Sequence, residues 1–259
     1  MTDPHAPETF ESWDSYWHFR FESSRRTRFI RSERSERFLR AVSDTCSDRA
    51  IELKKDRIFW RAQLGHDWQL EEQIVEEIPA PFGRERMKPL ADRAYEGRIN
   101  PKGVPCLYLA TTRETAMSEV RPWIGSLISV AQFRLERSLS IINCSVDHAA
   151  TPIFLEPPDN TNVVKANWAY IDRAFAEPAT RMDDTAEYVP TQILAELFRS
   201  KGYDGVAYKS AFGAAGYNIA LFDIDSAVQL NCFLYKTSKI DFEFSESANP
   251  YFITRPTEK

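Results

Sequence analysis

The sequence predicts an α+β fold in which helices pack on a sheet of short strands. Apolar runs of strand length alternate along the chain with segments whose apolar side chains recur at helical spacing. Turns that contain Gly, Pro or Asn separate the two kinds of segment. Because such strands and helices each have an apolar face to bury, the expected architecture is a mixed sheet core with packed helices.

Residues 11–50 are expected to form one or two surface helices before the main domain. Aromatic and aliphatic side chains recur there at loosely helical intervals, and the second half alternates Arg with Glu and Ser. Two interpretations stay open: the helices pack on the main domain through their aromatics, or they form a docking surface for a partner protein or a second subunit, as in a homodimer. We therefore predict an N-terminal helical extension at 1–50, a central domain at 51–236 and a polar tail at 237–259.

The central domain begins with a predicted strand at 58–64, IFWRAQL. Residues 66–93 are polar and contain several Pro and Gly, which predicts a long surface loop able to cover a cleft. Residues 106–110 are predicted to form the next strand.

A helix is predicted to begin at Thr111. The sequence TTRE at 111–114 matches a capping box, in which the Glu114 side chain reaches back to free backbone N–H groups. The helix is expected to run to Arg121, because Pro122 disfavours helical geometry in the residue before it and cannot donate a hydrogen bond.

Further strands and helices are predicted in the rest of the central domain. Apolar runs predict strands at 127–135, 139–143, 206–209 and 218–222. Stretches with apolar residues on one face predict helices at 162–175 and 191–200, with Gly202 as a C-terminal cap of the second.

The composition argues against several classes of protein. The chain has 259 residues and a formal net charge of −5, which argues against direct nucleic-acid binding. No apolar run approaches the roughly 20 residues that span a bilayer, and the N-terminus lacks the residue order of a signal peptide, so we expect a cytoplasmic protein without membrane contact. The four cysteines and four histidines are scattered, so no metal site is expected.

Two arginines are candidates for binding an anion. Arg61 lies inside an otherwise apolar strand, where an unpaired charge is costly to bury. The ordinary alternative is an edge-strand arginine that reaches solvent or a neighbouring carboxylate. Arg98 lies in a turn in which Gly97 permits close approach of a ligand to the backbone, although a surface arginine fits the sequence equally well.

Tyr108, Glu119 and Ser210 are the other candidates. Tyr108 is either a half-buried strand tyrosine or an aromatic platform for a planar heterocycle. Glu119 is either a surface carboxylate paired with an arginine or, in a cleft, a group that hydrogen-bonds a ribose hydroxyl and stabilises an oxocarbenium-like centre. Ser210 ends a predicted strand and is, on local grounds, a turn residue.

Taken together, these segments resemble the RES domain family. The segments that carry the resemblance are FWRAQ around Arg61, GRINPKGVPCLYLA around Arg98 and Tyr108, AMSEVR around Glu119, and GYDGVAYKS ending at Ser210. Arg61, Glu119 and Ser210 would be the arginine, glutamate and serine for which the family is named. The N-terminal helices lie outside the resemblance.

The resemblance implies an ADP-ribosyltransferase-like fold and a toxin of a toxin–antitoxin module, paired with an Xre-type antitoxin. It implies NAD+ as the substrate, and no metal is expected to be needed, because the leaving nicotinamide is cationic before cleavage and departs neutral. Arg61 and Arg98 would hold the pyrophosphate, Tyr108 would stack near nicotinamide, Glu119 would stabilise the ribosyl cation, and Ser210 would help to shape the nicotinamide pocket.

Three functions are therefore compatible with the sequence. The first is an NAD+ glycohydrolase or phosphorylase that cleaves the bond between nicotinamide and ribose. The second is a mono-ADP-ribosyltransferase that modifies a host protein, and the third is a non-enzymatic nucleotide-binding or partner-binding domain. All enzymatic versions require Arg61, Glu119 and Ser210 to meet in a common pocket.

Overall fold

The computed structural model describes residues 9–71, 76–90, 93–150, 152, 154, 156–178, 185–212 and 216–245. A mixed eight-stranded sheet lies at its centre, with helices packed against it. The predicted α+β fold class is therefore confirmed.

The bounds of the elements are as follows. The strands are β1 (Ala50–Leu53), β2 (Ile58–Leu64), β3 (Asp67–Glu71), β4 (Glu76–Ala80), β5 (Leu107–Ala110), β6 (Leu127–Leu135), β7 (Leu139–Asn143), β8 (Gly205–Lys209), β9 (Tyr217–Leu221) and β10 (Ala227–Lys236). The helices are α1 (Ser15–Arg25), α2 (Glu33–Thr45), α3 (Arg84–Met87), α4 (Arg113–Glu119), α5 (Asn160–Ala176) and α6 (Val189–Ser200).

The large sheet has the strand order β1-β7-β8-β9-β5-β2-β6-β10. Its neighbouring strands are antiparallel except for β7 and β8, which are parallel. The order places β9, from the second half of the chain, directly beside β5 from the first half, with β8 next to β9 and β2 next to β5. Side chains that are far apart in the sequence are thereby brought to the middle of one sheet.

The strands bury side chains on both faces of the sheet. Ile142 and Val206 belong to a core cluster that includes residues of α1, α2, α5 and α6. Their neighbours in the strands, Ile141 and Ala207, belong to a second cluster on the opposite face. This division follows from the alternation of side chains along a strand.

The predicted surface loop at 66–93 was wrong in part. β3 and β4 pair as an antiparallel hairpin within it, and α3 follows the hairpin. Pro79 lies in β4 opposite Trp68. A strand tolerates proline where the N–H of another residue would point away from the paired strand, because no ladder hydrogen bond is lost there. The proline content therefore indicated a loop where the chain forms an isolated hairpin.

The capping box predicted at 111–114 was also wrong. The cap of α4 is Thr112, whose side-chain oxygen accepts a hydrogen bond from the Thr115 N–H at 3.1 Å. Glu114 does not reach back to the start of the helix, because its carboxylate accepts a hydrogen bond from the Arg113 guanidinium at 2.8 Å.

The same helix ends two residues before the predicted end, at Glu119 rather than Arg121. Arg121 has a φ of 48°, in the left-handed region, so the helix cannot continue through it. Glu119 therefore occupies the last helical residue, immediately before a sharp change of chain direction.

Neither edge strand of the large sheet, β1 or β10, was predicted from the sequence. β1 has only four residues, and β10 contains a register shift between Gln229 and Asn231. Such a bulge interrupts the alternation of apolar and polar residues by which a strand is predicted.

The N-terminal helices pack on α5 and α6 through one face. Tyr16 and Phe19 of α1 are buried in the helix-side cluster, whereas Trp17 and Phe21 are exposed. Whether the exposed aromatics form a docking surface stays a prediction. No helix in the described part of the chain has both the length and the apolar character needed to cross a membrane.

A buried ion-pair cluster fixes α5 to the segment before β1. Arg49 forms salt bridges with Asp147 and, at 3.5 Å, with Asp172 of α5, and its guanidinium lies 4.3 Å from the centroid of the Trp168 ring. Burial raises the pKa of Asp172 to about 7. The cluster holds the helix whose C-terminal end lies next to the candidate site.

Candidate active site

Glu119 is held by two hydrogen-bond donors at the end of α4. Its Oε1 atom accepts from the Ser210 hydroxyl at 2.6 Å and from the Asn218 side-chain amide at 2.6 Å. Hydrogen bonds to a carboxylate are stronger than those between neutral groups. No residue among those described hydrogen-bonds to the Oε2 atom, so the second carboxylate oxygen is available to a ligand.

Ser210 and Asn218 come from neighbouring strands of the sheet. Ser210 directly follows β8, and Asn218 lies in β9, opposite Tyr208 of β8. The backbone N–H of Ser210 donates to the Gly216 carbonyl at 3.1 Å, which closes the turn between the two strands. The pairing of β8 with β9 therefore places both donors on the same side of Glu119.

The start of α4 is tied to the start of β9. The Thr111 N–H donates to the Tyr217 carbonyl at 2.9 Å, and the Tyr217 N–H donates to the Thr111 hydroxyl at 3.0 Å. The helix approaches the strand so closely at Gly216 that a Cβ atom there would lie 1.8 Å from the Thr115 Oγ1 atom. Glycine is required at this position because any side chain would collide with the helix.

We expect Gly216→Ala to separate α4 from β9 and to destabilise the protein by about 1–3 kcal/mol, the usual cost of overpacking. Gly83→Ala is the matched control, because a Cβ atom at Gly83 would have no neighbour within 4 Å. Urea unfolding of the two variants measures the difference. Equal midpoints would show that the close contact between Gly216 and Thr115 does not exist.

A cavity of about 210 Å³ lies in front of Glu119. Its walls combine the Glu119 and Asn218 side chains with aromatic rings and two cations; the rings are Tyr108, Phe175, Tyr188, Tyr208 and Phe212, and the cations are Arg98 and Arg121. Burial raises the pKa of Tyr208, so this phenol stays neutral at physiological pH. Aromatic walls around a single carboxylate suit a planar heterocycle attached to a group that develops positive charge.

Arg98 lines this cavity, but its guanidinium is engaged by the backbone. It donates to the Ala174 carbonyl at 2.5 Å and to the Glu177 carbonyl, at the C-terminal end of α5. It also lies 5.6 Å from the centroid of the Tyr188 ring. The last carbonyls of a helix have no partner within the helix, so Arg98 caps α5.

The Tyr108 hydroxyl fixes the turn that contains Arg98. It donates to the Asn100 Oδ1 atom at 2.7 Å and accepts from the Ile99 N–H at 3.0 Å. A Cβ atom at Gly97 would lie 2.6 Å from the same hydroxyl. Burial raises the pKa of Tyr108 well above its usual value, so the hydroxyl keeps the proton that it donates.

A second, larger cavity of about 580 Å³ adjoins the first and shares Gly97 and Tyr108 with it. Arg61 lines the larger cavity. One terminal nitrogen of its guanidinium donates to the Tyr108 carbonyl at 3.0 Å, whereas its Nε atom is buried without a hydrogen-bond partner among the described residues. Burial lowers the pKa of Arg61 to about 10, which still leaves the side chain protonated at neutral pH.

The larger cavity carries more positive than negative side chains. Its cations are Arg61, Arg86, Lys88 and Arg93, and its carboxylates are Glu85 and Glu96. A partly buried cation whose Nε–H donor is unused among the described residues, in a cavity lined by further cations, is suited to bind an anion.

The predicted site residues thus lie around two adjoining cavities. Glu119 and Ser210 are in direct contact, whereas Arg61 lies in the neighbouring cavity. Tyr108 and Arg98 line the small cavity, and Tyr108 also lines the large one. The sequence predicted one common pocket, whereas the structure has two adjoining cavities that share Tyr108 and Gly97 as lining residues.

Sequence reasoning missed Asn218, which contacts Glu119 directly. The available signal was a polar residue inside the apolar strand YNIAL, the same kind of signal that singled out Arg61 in IFWRAQL. It also missed Gln192 of α6, whose amide donates to the carbonyls of Gly97 at 2.9 Å and Asn100 at 3.1 Å.

In the ranges that the structure describes, no group of three or more His, Cys, Asp and Glu side chains could hold a metal ion.

Comparisons with known proteins identify the family. No curated protein sequence matches the chain. Among solved structures, the crystal structure of the M. tuberculosis MbcT–MbcA toxin–antitoxin complex matches with 12% identity and a TM-score of 0.44, covering 75% of this chain and 92% of that chain. The sequence model described as "RES domain" matches residues 58–244, which is well over half of the chain. The protein therefore belongs to the RES domain family.

Proposed function

We propose that this protein is an NAD+-consuming toxin that cleaves the N-glycosidic bond between nicotinamide and ribose. The observation that carries the proposal is Glu119, fixed by Ser210 and Asn218 in an aromatic cavity that adjoins a cationic one. Membership of the RES family supports the same substrate, because the family resemblance implies action on NAD+.

The two cavities correspond to the two halves of a dinucleotide. The nicotinamide riboside half would occupy the small cavity, where aromatic rings surround the carboxylate. The ADP half would occupy the large cavity, where the Arg61 guanidinium would donate to the pyrophosphate. Tyr108 would lie at the junction.

The chemistry requires one carboxylate and no metal. The bond between the ribose C1′ atom and the nicotinamide nitrogen breaks, and both electrons leave with nicotinamide, which departs as a neutral molecule. The positive charge moves to the ribose as an oxocarbenium-like centre, which the free Oε2 atom of Glu119 would stabilise. An acceptor then bonds to C1′ and loses a proton to solvent.

Arg98 has a different role in this proposal from the one that the resemblance implied. Since its guanidinium donates to two carbonyls at the end of α5, it shapes the wall of the small cavity. Arg61, whose buried Nε atom has no hydrogen-bond partner in the described part of the chain, is the principal phosphate ligand.

The purified protein is expected to release nicotinamide from NAD+, measured by liquid chromatography with mass detection. Free ADP-ribose would identify water as the acceptor, ADP-ribose 1″-phosphate formed in added phosphate would identify phosphate, and mass added to a lysate protein would identify a transferase. Unchanged NAD+ under all three conditions would overturn the proposal and favour a non-enzymatic domain.

The proposal includes an antitoxin partner of the Xre type, which rests on the family alone. Expression of the chain by itself should arrest growth and deplete NAD+, and co-expression with the product of an adjacent gene should restore both. Growth arrest with a normal NAD+ level would contradict the proposed activity.

A further inference from the structure

We infer that Asn218 is a positioning residue that holds Glu119 in the orientation needed for catalysis. The inference rests on the proposed function, because it assigns Asn218 a part in the same reaction. It goes further by giving a role to a residue outside the arginine, glutamate and serine that name the family.

The first observation is the burial of an amide in an apolar strand. Asn218 is 7% exposed and lies in β9 with Ala110 of β5 on one side and Tyr208 of β8 on the other. Burial of an amide without hydrogen bonds costs several kcal/mol. The contact with Glu119 satisfies this group, and it fixes which way the amide points, since a carboxylate accepts hydrogen bonds and Nδ2 must face it.

The second observation is that Ser210 has competing contacts. Its hydroxyl lies 2.6 Å from the Glu119 Oε1 atom and 3.0 Å from the Phe212 carbonyl, and it also accepts from the Phe212 N–H at 3.1 Å. A hydroxyl has one proton, so it cannot donate fully to both acceptors. The Asn218 amide has two N–H groups, so it can donate one of them to Glu119 even when the other donates elsewhere.

The geometry of the two hydrogen bonds to Glu119 explains how they position its carboxylate. Both donors bind Oε1, so neither of them occupies Oε2, and the Glu119 side chain lines the small cavity. A carboxylate held at one oxygen cannot rotate freely, which reduces the reorganisation needed when positive charge develops on the sugar.

Other charged and titratable groups also surround Glu119. They are Arg121, which follows α4, Arg98 from the 97–100 turn, Tyr108 of β5, Tyr188 before α6, and Tyr208 of β8. These groups are unchanged in a substitution of Asn218, so a change in pH dependence reports on the Asn218 contact.

The principal test is Asn218→Asp, which keeps the size of the side chain and replaces the donor by a second carboxylate. At its pH optimum, kcat for NAD+ cleavage should fall about tenfold or more, because a hydrogen bond to a charged group is lost. KM should change less than twofold, since Arg61 still holds the pyrophosphate. The low-pH limb of kcat should move to higher pH, because adjacent carboxylates share a proton.

Asn167→Ala is the matched control. Asn167 is also a buried asparagine, and it bonds the Tyr16 N–H and the Ser12 carbonyl away from the site. This variant should lose thermal stability and keep both kcat and the pH profile. If Asn218→Ala behaved like Asn167→Ala, Asn218 would be merely structural and the inference would be overturned.

A measurement without turnover separates this inference from the proposed function. The Glu119 side-chain carboxyl carbon can be observed by ¹³C NMR and assigned by its absence in Glu119→Gln. Its resonance should shift in Asn218→Ala, where the carboxylate loses the amide donor, and an unchanged resonance would overturn the inference even in an active enzyme. A shifted resonance in a protein that leaves NAD+ intact would support the positioning contact and overturn only the proposed reaction.

Discussion

Glu119→Gln should lower nicotinamide release by at least about a hundredfold, the cost of removing a preorganised electrostatic group from an active site. Glutamine has the same shape, and its side-chain oxygen can still accept from Ser210 and Asn218. What disappears is the negative charge that faces the developing ribosyl cation. KM for NAD+ should stay close to its original value, so the loss should lie in kcat.

Glu114→Gln is the control on the same helix. Glu114 is exposed and paired with Arg113, outside both cavities. It should keep full turnover, and circular dichroism should show the same helix content in both variants. Full turnover in Glu119→Gln, measured by nicotinamide release, would refute the role of this carboxylate.

Arg61→Met should weaken NAD+ binding by about ten- to a hundredfold, the value of a charge-assisted bond to phosphate. The same substitution should leave the midpoint of thermal unfolding unchanged or higher. The Nε atom of Arg61 is buried without a hydrogen-bond partner among the described residues, and a buried donor left without a partner destabilises the folded state. Weaker NAD+ binding without a loss of thermal stability is the result expected of a residue whose role is to bind the ligand.

Arg57→Met is the control for loss of a positive charge. Arg57 precedes β2 and is exposed, away from the cavities. Isothermal titration with NAD+ and thermal unfolding should be run on both variants. If Arg61→Met bound NAD+ as tightly as Arg57→Met, or if it lost stability, Arg61 would have a structural role.

The fold class and most central elements could be predicted from local sequence. The apolar run around Arg61, for example, predicted β2 with its observed bounds, because a strand imposes its pattern over a few adjacent residues. β10 escaped prediction because its bulge shifts the register at Leu230 and breaks the alternation. The hairpin of β3 and β4 escaped prediction because its proline was interpreted as a loop signal. Proline is excluded only from strands that are paired on both sides, and β4 pairs with β3 alone among the described strands.

Residues of the candidate site could be recognised from the sequence only where a polar side chain lies in an otherwise apolar strand. Arg61 was found in this way, and Asn218 carried the same signal without being recognised. The engagement of Arg98 was not visible, because the end of α5 that it caps lies far away in the sequence.

The sequence by itself determined most of the central strands and helices and most of the side chains able to perform the chemistry, because hydrophobic periodicity and residue type act locally. Only the tertiary structure decided which of those side chains meet. The strand order places β9 between β8 and β5, which brings Ser210 and Asn218 to Glu119, and it leaves Arg61 in the adjoining cavity. The physical reason is that contacts between distant segments depend on strand pairing and packing of the whole chain, which no short stretch of sequence encodes.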